Sequence, residues 1–140
     1  MLRKILLMML CISVTGCGVS VFDDHKIDKH YLLLLHNKER AKRGIDQIEE
    51  NEELNQYAQR HAEWMANHSL LIHSKLSLPN FNNVGENIAM GQNSEESVFN
   101  DWMDSSGHRK NILGKKYKKA GVGYAKFRDG RPYWCVVFGD

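Results

Sequence analysis

The sequence predicts an α+β domain, with helices covering an antiparallel sheet. Apolar residues recur with helical spacing through much of the stretch from 28 to 113. Beyond residue 119 the period changes to alternation on either side of an Asp-Gly turn. Helices first and a hairpin last are the mark of segregated α+β architecture.

Each element can be justified in order. Asp28 is placed to cap a helix running to about Arg43, with Gly44 as its C′ stop. Tyr31, Leu32, Leu34, Leu35 and Ala41 form its apolar side, and Asn37, Lys38 and Arg40 its polar side. The leucines at 32, 33, 34 and 35 imply burial over more than one stripe. Asn51 caps a second helix, with Glu52 and Glu53 well placed against the N-terminal dipole. Leu54, Ala58, His61, Ala62 and Met65 form a helical stripe that ends near His68 or Ser69. His61 reads as a core histidine on that stripe. Residues 71–92 read as loop, with Pro79, three asparagines between 80 and 83, Gly85 and Gly91. Ser94, Glu95 and Glu96 start another helix, which Val98, Phe99 and Trp102 continue. Gly107 allows a turn, and His108 to Leu113 form a short helical segment. Residues 120–127 alternate like a strand, 128–131 form the turn, and 132–138 return as a second strand.

The N-terminus has a different character. Arg3 and Lys4 precede an apolar run from Ile5 to Ile12, which is too short to span a bilayer. Val14-Thr15-Gly16-Cys17 then reads as a lipobox, and the segment resembles the signal peptide of a bacterial lipoprotein. The expected division is a signal peptide over 1–16, a tether over 17–27 and one domain over 28–140. Acylation of Cys17 would give a stable lipid anchor and an extracytoplasmic location.

Charge and cysteine usage agree with this reading. The chain carries 19 basic and 17 acidic residues. Loss of Arg3 and Lys4 with the signal leaves a neutral domain, which excludes a general nucleic-acid binder. Cys11 leaves with the signal and Cys17 is acylated. Cys135 is then left alone in an apolar run, a buried and inert thiol.

The motifs now support a family. The chain carries His36-Asn37-x-x-Arg40-Ala41-x-x-Gly44, then Leu54-x-x-Tyr57-Ala58-x-x-His61-Ala62, then Gly85-Glu86-Asn87-Ile88-Ala89. Trp102-x-x-Ser105-x-Gly107-His108-Arg109-x-Asn111-Ile112-Leu113, Gly121-Val122-Gly123 and Tyr133-Trp134 follow. Together they resemble the CAP superfamily of cysteine-rich secretory proteins, antigen five and pathogenesis-related proteins, in its bacterial form. The resemblance implies an α-β-α sandwich with a solvent-facing cleft. It also implies a cleft set of His73, Glu86 and His108, with Ser105 where many members place a second glutamate. Asn87, Arg109 and Asn111 would support that cleft.

Three chemistries remain open for it. His73, Glu86 and His108 could form an open His₂Glu site for zinc or another divalent ion. Ser105, His108 and Glu86 could act as nucleophile, base and orienter of a hydrolase. Alternatively, a buried Glu86 holds the Gly85–Ala89 turn as part of a satisfied polar network, and the cleft binds without turnover. The reading adopted is a binding module at the envelope for a lipid, a glycan or another protein, with the hydrolase as the alternative. From Arg109 to Arg131 nine basic residues meet one acid, Asp129, so the domain is polarised. Such a run also suits an ordinary solvated edge.

The lipobox makes a direct prediction. Cys17→Ser is expected to abolish labelling by a fatty-acid analogue in cells. Equal labelling of the variant and the parent would remove the anchor.

Overall fold

A computed structural model describes residues 27–140. The expected signal peptide, the expected lipobox and all but the last residue of the expected tether lie outside the described residues. The elements are α1 (Lys29–Ala41), β1 (Glu49–Glu50), α2 (Glu52–His68), β2 (Val84–Met90), α3 (Glu95–Asp104), α4 (Ser106–Ile112), β3 (Lys119–Lys126) and β4 (Pro132–Gly139). The sheet runs β1-β3-β4-β2. β3–β4 and β4–β2 are antiparallel, but β1 joins β3 in parallel, so the sheet is mixed.

The helix starts fall where capping chemistry puts them. The side chains of Asp28 and Asn51 accept from the backbone N–H of Tyr31 and Leu54, and Ser94 with Ser97 closes a capping box. α2 ends at Ser69, which adopts the left-handed conformation at φ 54°.

Four expectations need correction. The Gly85–Ala89 segment is strand, not turn, because its residues pair with β4 from Val84 to Met90. The break between α3 and α4 lies at Ser105, which is extended (φ −90°, ψ 121°), and Gly107 sits inside α4. Arg40 is not on a polar side of α1 but fully buried, whereas Leu34 is exposed. The antiparallel sheet gains a parallel strand because Asn37 grips Ile48. Its amide accepts from Ile48 N at 2.8 Å and donates to Ile48 O at 2.9 Å. That hold brings the following residues alongside β3.

The sheet separates two cores. α1, α3 and α4 cover one face, with Leu32, Val98, Trp102, Ile112, Trp134, Val136 and Phe138. α2 covers the other, with Leu54, Ala58, Met65, Ile88, Tyr133, Cys135 and Val137. β4 alternates between them and is buried throughout.

Contact between α2 and β3 is backbone to backbone. A Cβ on Gly121 would lie 2.1 Å from Leu54 C and Asn55 N, and one on Gly123 would lie 2.1 Å from Ala58 O. The helix also closes the strand's open edge. Asn55 Oδ1 accepts from Val122 N at 2.8 Å, and the Gln59 amide bonds both Tyr124 N and Tyr124 O. At the opposite end of the sheet, alternate carbonyls of β2 are met in the same way. Val84 O accepts from Tyr117 Oη, Glu86 O from Asn111 Nδ2 and Ile88 O from Trp102 Nε1, at 3.2, 3.0 and 3.1 Å. An unpaired strand edge is otherwise a template for aggregation.

Two buried polar residues tie the α1 side together. The Arg40 guanidinium donates to four backbone carbonyls, those of Asp46, Ile112, Gly114 and Tyr117. His36 Nδ1–H donates to Leu32 O at 2.8 Å, and its ring lies among Phe99, Trp102 and Phe138. Burial, opposed by that hydrogen bond and helped by the charge of Arg40, lowers its pKa to about 4.

This packing is open to two measurements. Gly123→Ala is expected to cost about 3 kcal/mol or more in urea unfolding, since neither backbone can yield cheaply. A loss below about 0.5 kcal/mol, the usual surface value, would mean that the helix does not rest on the strand. His36 gives a pH dependence. It stays neutral when folded but takes a proton below about pH 6.5 when unfolded. Its contribution is complete above pH 6.5 and is lost as the pH falls towards 4, by roughly 3 kcal/mol. Unfolding titrations at pH 7 and pH 4.5 should therefore converge in His36→Phe. An unchanged pH slope in that variant would assign the loss to other groups.

Candidate functional site

Glu86 is the centre of the site. Its place on β2 turns its side chain to the α2 face, where it is almost wholly buried. The segment after α2 folds over it. Oε1 accepts from His73 Nδ1 at 2.8 Å and from Ser74 N at 2.9 Å. Oε2 accepts from Ser74 Oγ at 2.6 Å and from the Cys135 thiol at 3.7 Å. His61 Nε2 stands 3.9 Å from Oε2 and donates to Ile72 O at 2.8 Å. Tyr57 Oη, one turn earlier on α2, bonds Ser74 Oγ at 3.2 Å. A carboxylate taken this far from water is tolerable only with its lone pairs filled, and here they are. Cys135 is buried as expected, and burial together with the Glu86 carboxylate pushes its thiol well above the ordinary range. It stays protonated and serves as a donor.

His73 is the exposed end of this network. With Nδ1–H held by Glu86, the ring is oriented and its Nε2 is left unengaged by that carboxylate. His108 comes from α4 on the other side of β2. Its ring lies 6.4 Å from that of Trp102, centre to centre. Its pKa is lowered by burial and then by the charge of nearby His73. The direction suits a neutral imidazole, and its main cause is desolvation. Asn87 donates to His108 O at 3.1 Å, Asn111 donates to Asn87 Oδ1 at 2.9 Å, and Arg109 donates to Met103 O at 2.7 Å. Asn87 and Asn111 thus hold α4 against β2, and Arg109 ties α4 to α3. Ser105 sits apart at the α3–α4 junction, and its side chain makes no capping bond.

The predicted set therefore divides. His73 and Glu86 are in direct contact, His108 is near enough to His73 to feel its charge, and Ser105 shares no hydrogen bond with His108 among the described residues. Sequence reasoning missed Ser74, Tyr57 and His61. The signal for His61 was present, because the stripe that carried it also carried Leu54 and Ala58 onto the sheet. His61, Trp64, Ile72, His73, Ser74 and Lys75 line a concavity of about 360 Å³. The Trp64 ring stacks with those of His61 and His68, at 6.0 and 4.4 Å between centres.

As ligands of one metal ion, His73, Glu86 and His108 do not fit. Both Glu86 oxygens are committed to protein donors. Among the described residues, no three His, Cys, Asp or Glu side chains are gathered as a metal site. Glu86 is placed to orient His73 instead.

Comparison with known proteins decides the family. The model of the cysteine-rich secretory protein family, CAP, matches residues 33–138. The chain belongs to the CAP family. Protein YkwD of Bacillus subtilis is 33% identical over 103 residues, which cover 66% of this chain and 40% of YkwD. The match thus spans two fifths of that relative's length, in keeping with a bacterial-type CAP member. An outer surface protein of Borrelia burgdorferi superposes with a TM-score of 0.71 at 21% identity, covering 79% of this chain and 90% of that one. An extracellular protein with an SCP domain from Bacillus anthracis superposes at 0.68 with 22% identity, covering 79% and 39%. Both share the fold, the α+β CAP architecture.

The coupling of His108 to His73 is measurable by NMR. His108 is expected to titrate below the usual histidine range, and His73→Ala should raise its pKa without fully restoring it, since burial remains. No movement in His73→Ala would place the two rings too far apart to share a cleft.

Proposed function

We propose that this CAP domain is held outside the cytoplasm on an N-terminal lipid anchor and binds a ligand or partner at the cell envelope without turnover. The saturated carboxylate of Glu86 carries this reading. A general base needs a lone pair facing its substrate, and each Glu86 oxygen already accepts from the domain's own donors. The network fixes His73 and the wall around it, as a binding surface requires. The lipobox and the membership in a family of secretory proteins support the location. Lipids, glycans and envelope proteins remain the candidate ligand classes. Zinc or another divalent ion is not required by this reading.

Activity and metal content test it together. A peptide library should be cleaved no faster by the parent protein than by Glu86→Gln, and dialysed protein should retain no stoichiometric zinc. Turnover lost in Glu86→Gln or Ser105→Ala would replace this reading with a hydrolase. Zinc binding by calorimetry that disappears in His108→Ala would replace it with a metal-assisted one.

A further inference from the structure

Of the five large apolar side chains that stand exposed among the described residues, four lie at or just beyond the end of α2, beside the cleft. Trp64, Leu70, Leu71 and Ile72 are 41, 43, 45 and 51% exposed. Leu70 N donates to Met65 O at 3.1 Å, so the three aliphatic residues follow directly from the end of α2. Ile72 and Trp64 line one concavity with Lys75, and Trp64 shares the next with Arg60. The surface therefore combines an indole, branched aliphatics and cations. This is the composition of a protein surface at the boundary of lipid tails and headgroups. A bound sugar would want a free indole face, whereas Trp64 is stacked against His61 and His68.

The described chain also begins on this flank. Lys29 Nζ donates to Gln59 Oε1 at 2.9 Å, and Lys29 lines a groove with Arg60. Gln59 is five residues before Trp64 on the same helix, about 8 Å along its axis and about 140° around it, and Arg60 links the two, lining both the groove with Lys29 and the concavity with Trp64. Nine residues lie between Cys17 and Ile27, and the ten steps can span at most about 33–36 Å. An acylated Cys17 can therefore lie in the same leaflet that the patch would touch.

We propose that Trp64, Leu70, Leu71 and Ile72 rest on the lipid bilayer that holds the N-terminal anchor, with Arg60 and Lys75 at the headgroups. This rests on the lipid-anchor reading and adds an orientation to it. Among the described residues no helix is long and apolar enough to cross a membrane, so the contact is interfacial. The cleft that holds Glu86 and His73 then opens at the membrane surface rather than away from it.

Trp64 supplies its own probe. The chain has three tryptophans, and Trp102 and Trp134 are buried. Full-length acylated protein would be reconstituted in vesicles of phosphatidylethanolamine and phosphatidylglycerol, with or without brominated acyl chains. Flotation reports the anchor, and quenching reports the patch. We expect the protein to float, and brominated lipid to quench a component of emission that is lost in Trp64→Phe. Leu71→Asp combined with Ile72→Asp should abolish that quenching and leave flotation intact. Protein that floats without quenching overturns the orientation alone. So does quenching that survives in Trp64→Phe, and so does a patch covered by a second copy, seen as intermolecular crosslinks in Leu71→Cys. Protein that does not float overturns the anchor and the orientation with it.

Discussion

The contact of α2 on the backbone of β3 constrains everything else in this domain. It exists because Gly121 and Gly123 present no side chains on one face of the strand. With the helix that close, Asn55 and Gln59 reach the strand's peptide groups, while Leu54, Ala58 and Met65 cover β4. His61 and Tyr57 lie on the same helix, so their distance from Glu86 is set by the same two glycines. The site is held by a packing contact on the other side of the central strand, not by bonds within the cleft alone.

The unpaired strand edges are also completed by side chains: the part of β3 beyond its two-residue pairing with β1, and the outer edge of β2. Asn55 and Gln59 do this for β3; Trp102, Asn111 and Tyr117 do it for β2. These residues include much of what made the sequence look like a site. Trp102 and Asn111 flank His108 in the chain, yet both bind strand carbonyls. A motif dense in polar and aromatic residues can thus be architecture. The chemistry that remains for solvent is narrower: His73, the ring of His108, and the concavity beside Trp64.

Most of the fold was legible. Asp28, Asn51 and Ser94 each cap the helix they announced, and the Asp-Gly turn closes the hairpin where alternation changed direction. The strand β2 was hidden by Gly85 and by the asparagines before it. Gly85 is there because a Cβ would meet Tyr117 Oη at 2.4 Å, a contact with a residue far along the chain. Arg40 was read as solvated because helical period alone cannot foresee four distant carbonyls. In the candidate site, His73, Glu86 and His108 are singled out by family resemblance, and only the His73–Glu86 contact is direct. Ser74 was missed because its role depends on the loop after α2 folding back over the sheet, which local pattern does not specify.

Arg40 binds only main-chain oxygens. Its partners are positions rather than side chains. The segments that supply them, the loop before β1 and the end of α4 with the loop that follows, are read by their paths and not by their side chains. Arg40 itself is read by its side chain, since a lysine offers one nitrogen where the planar guanidinium offers three at fixed angles. Variation is thereby pushed outward onto the loops, around one residue that does not read what they are made of.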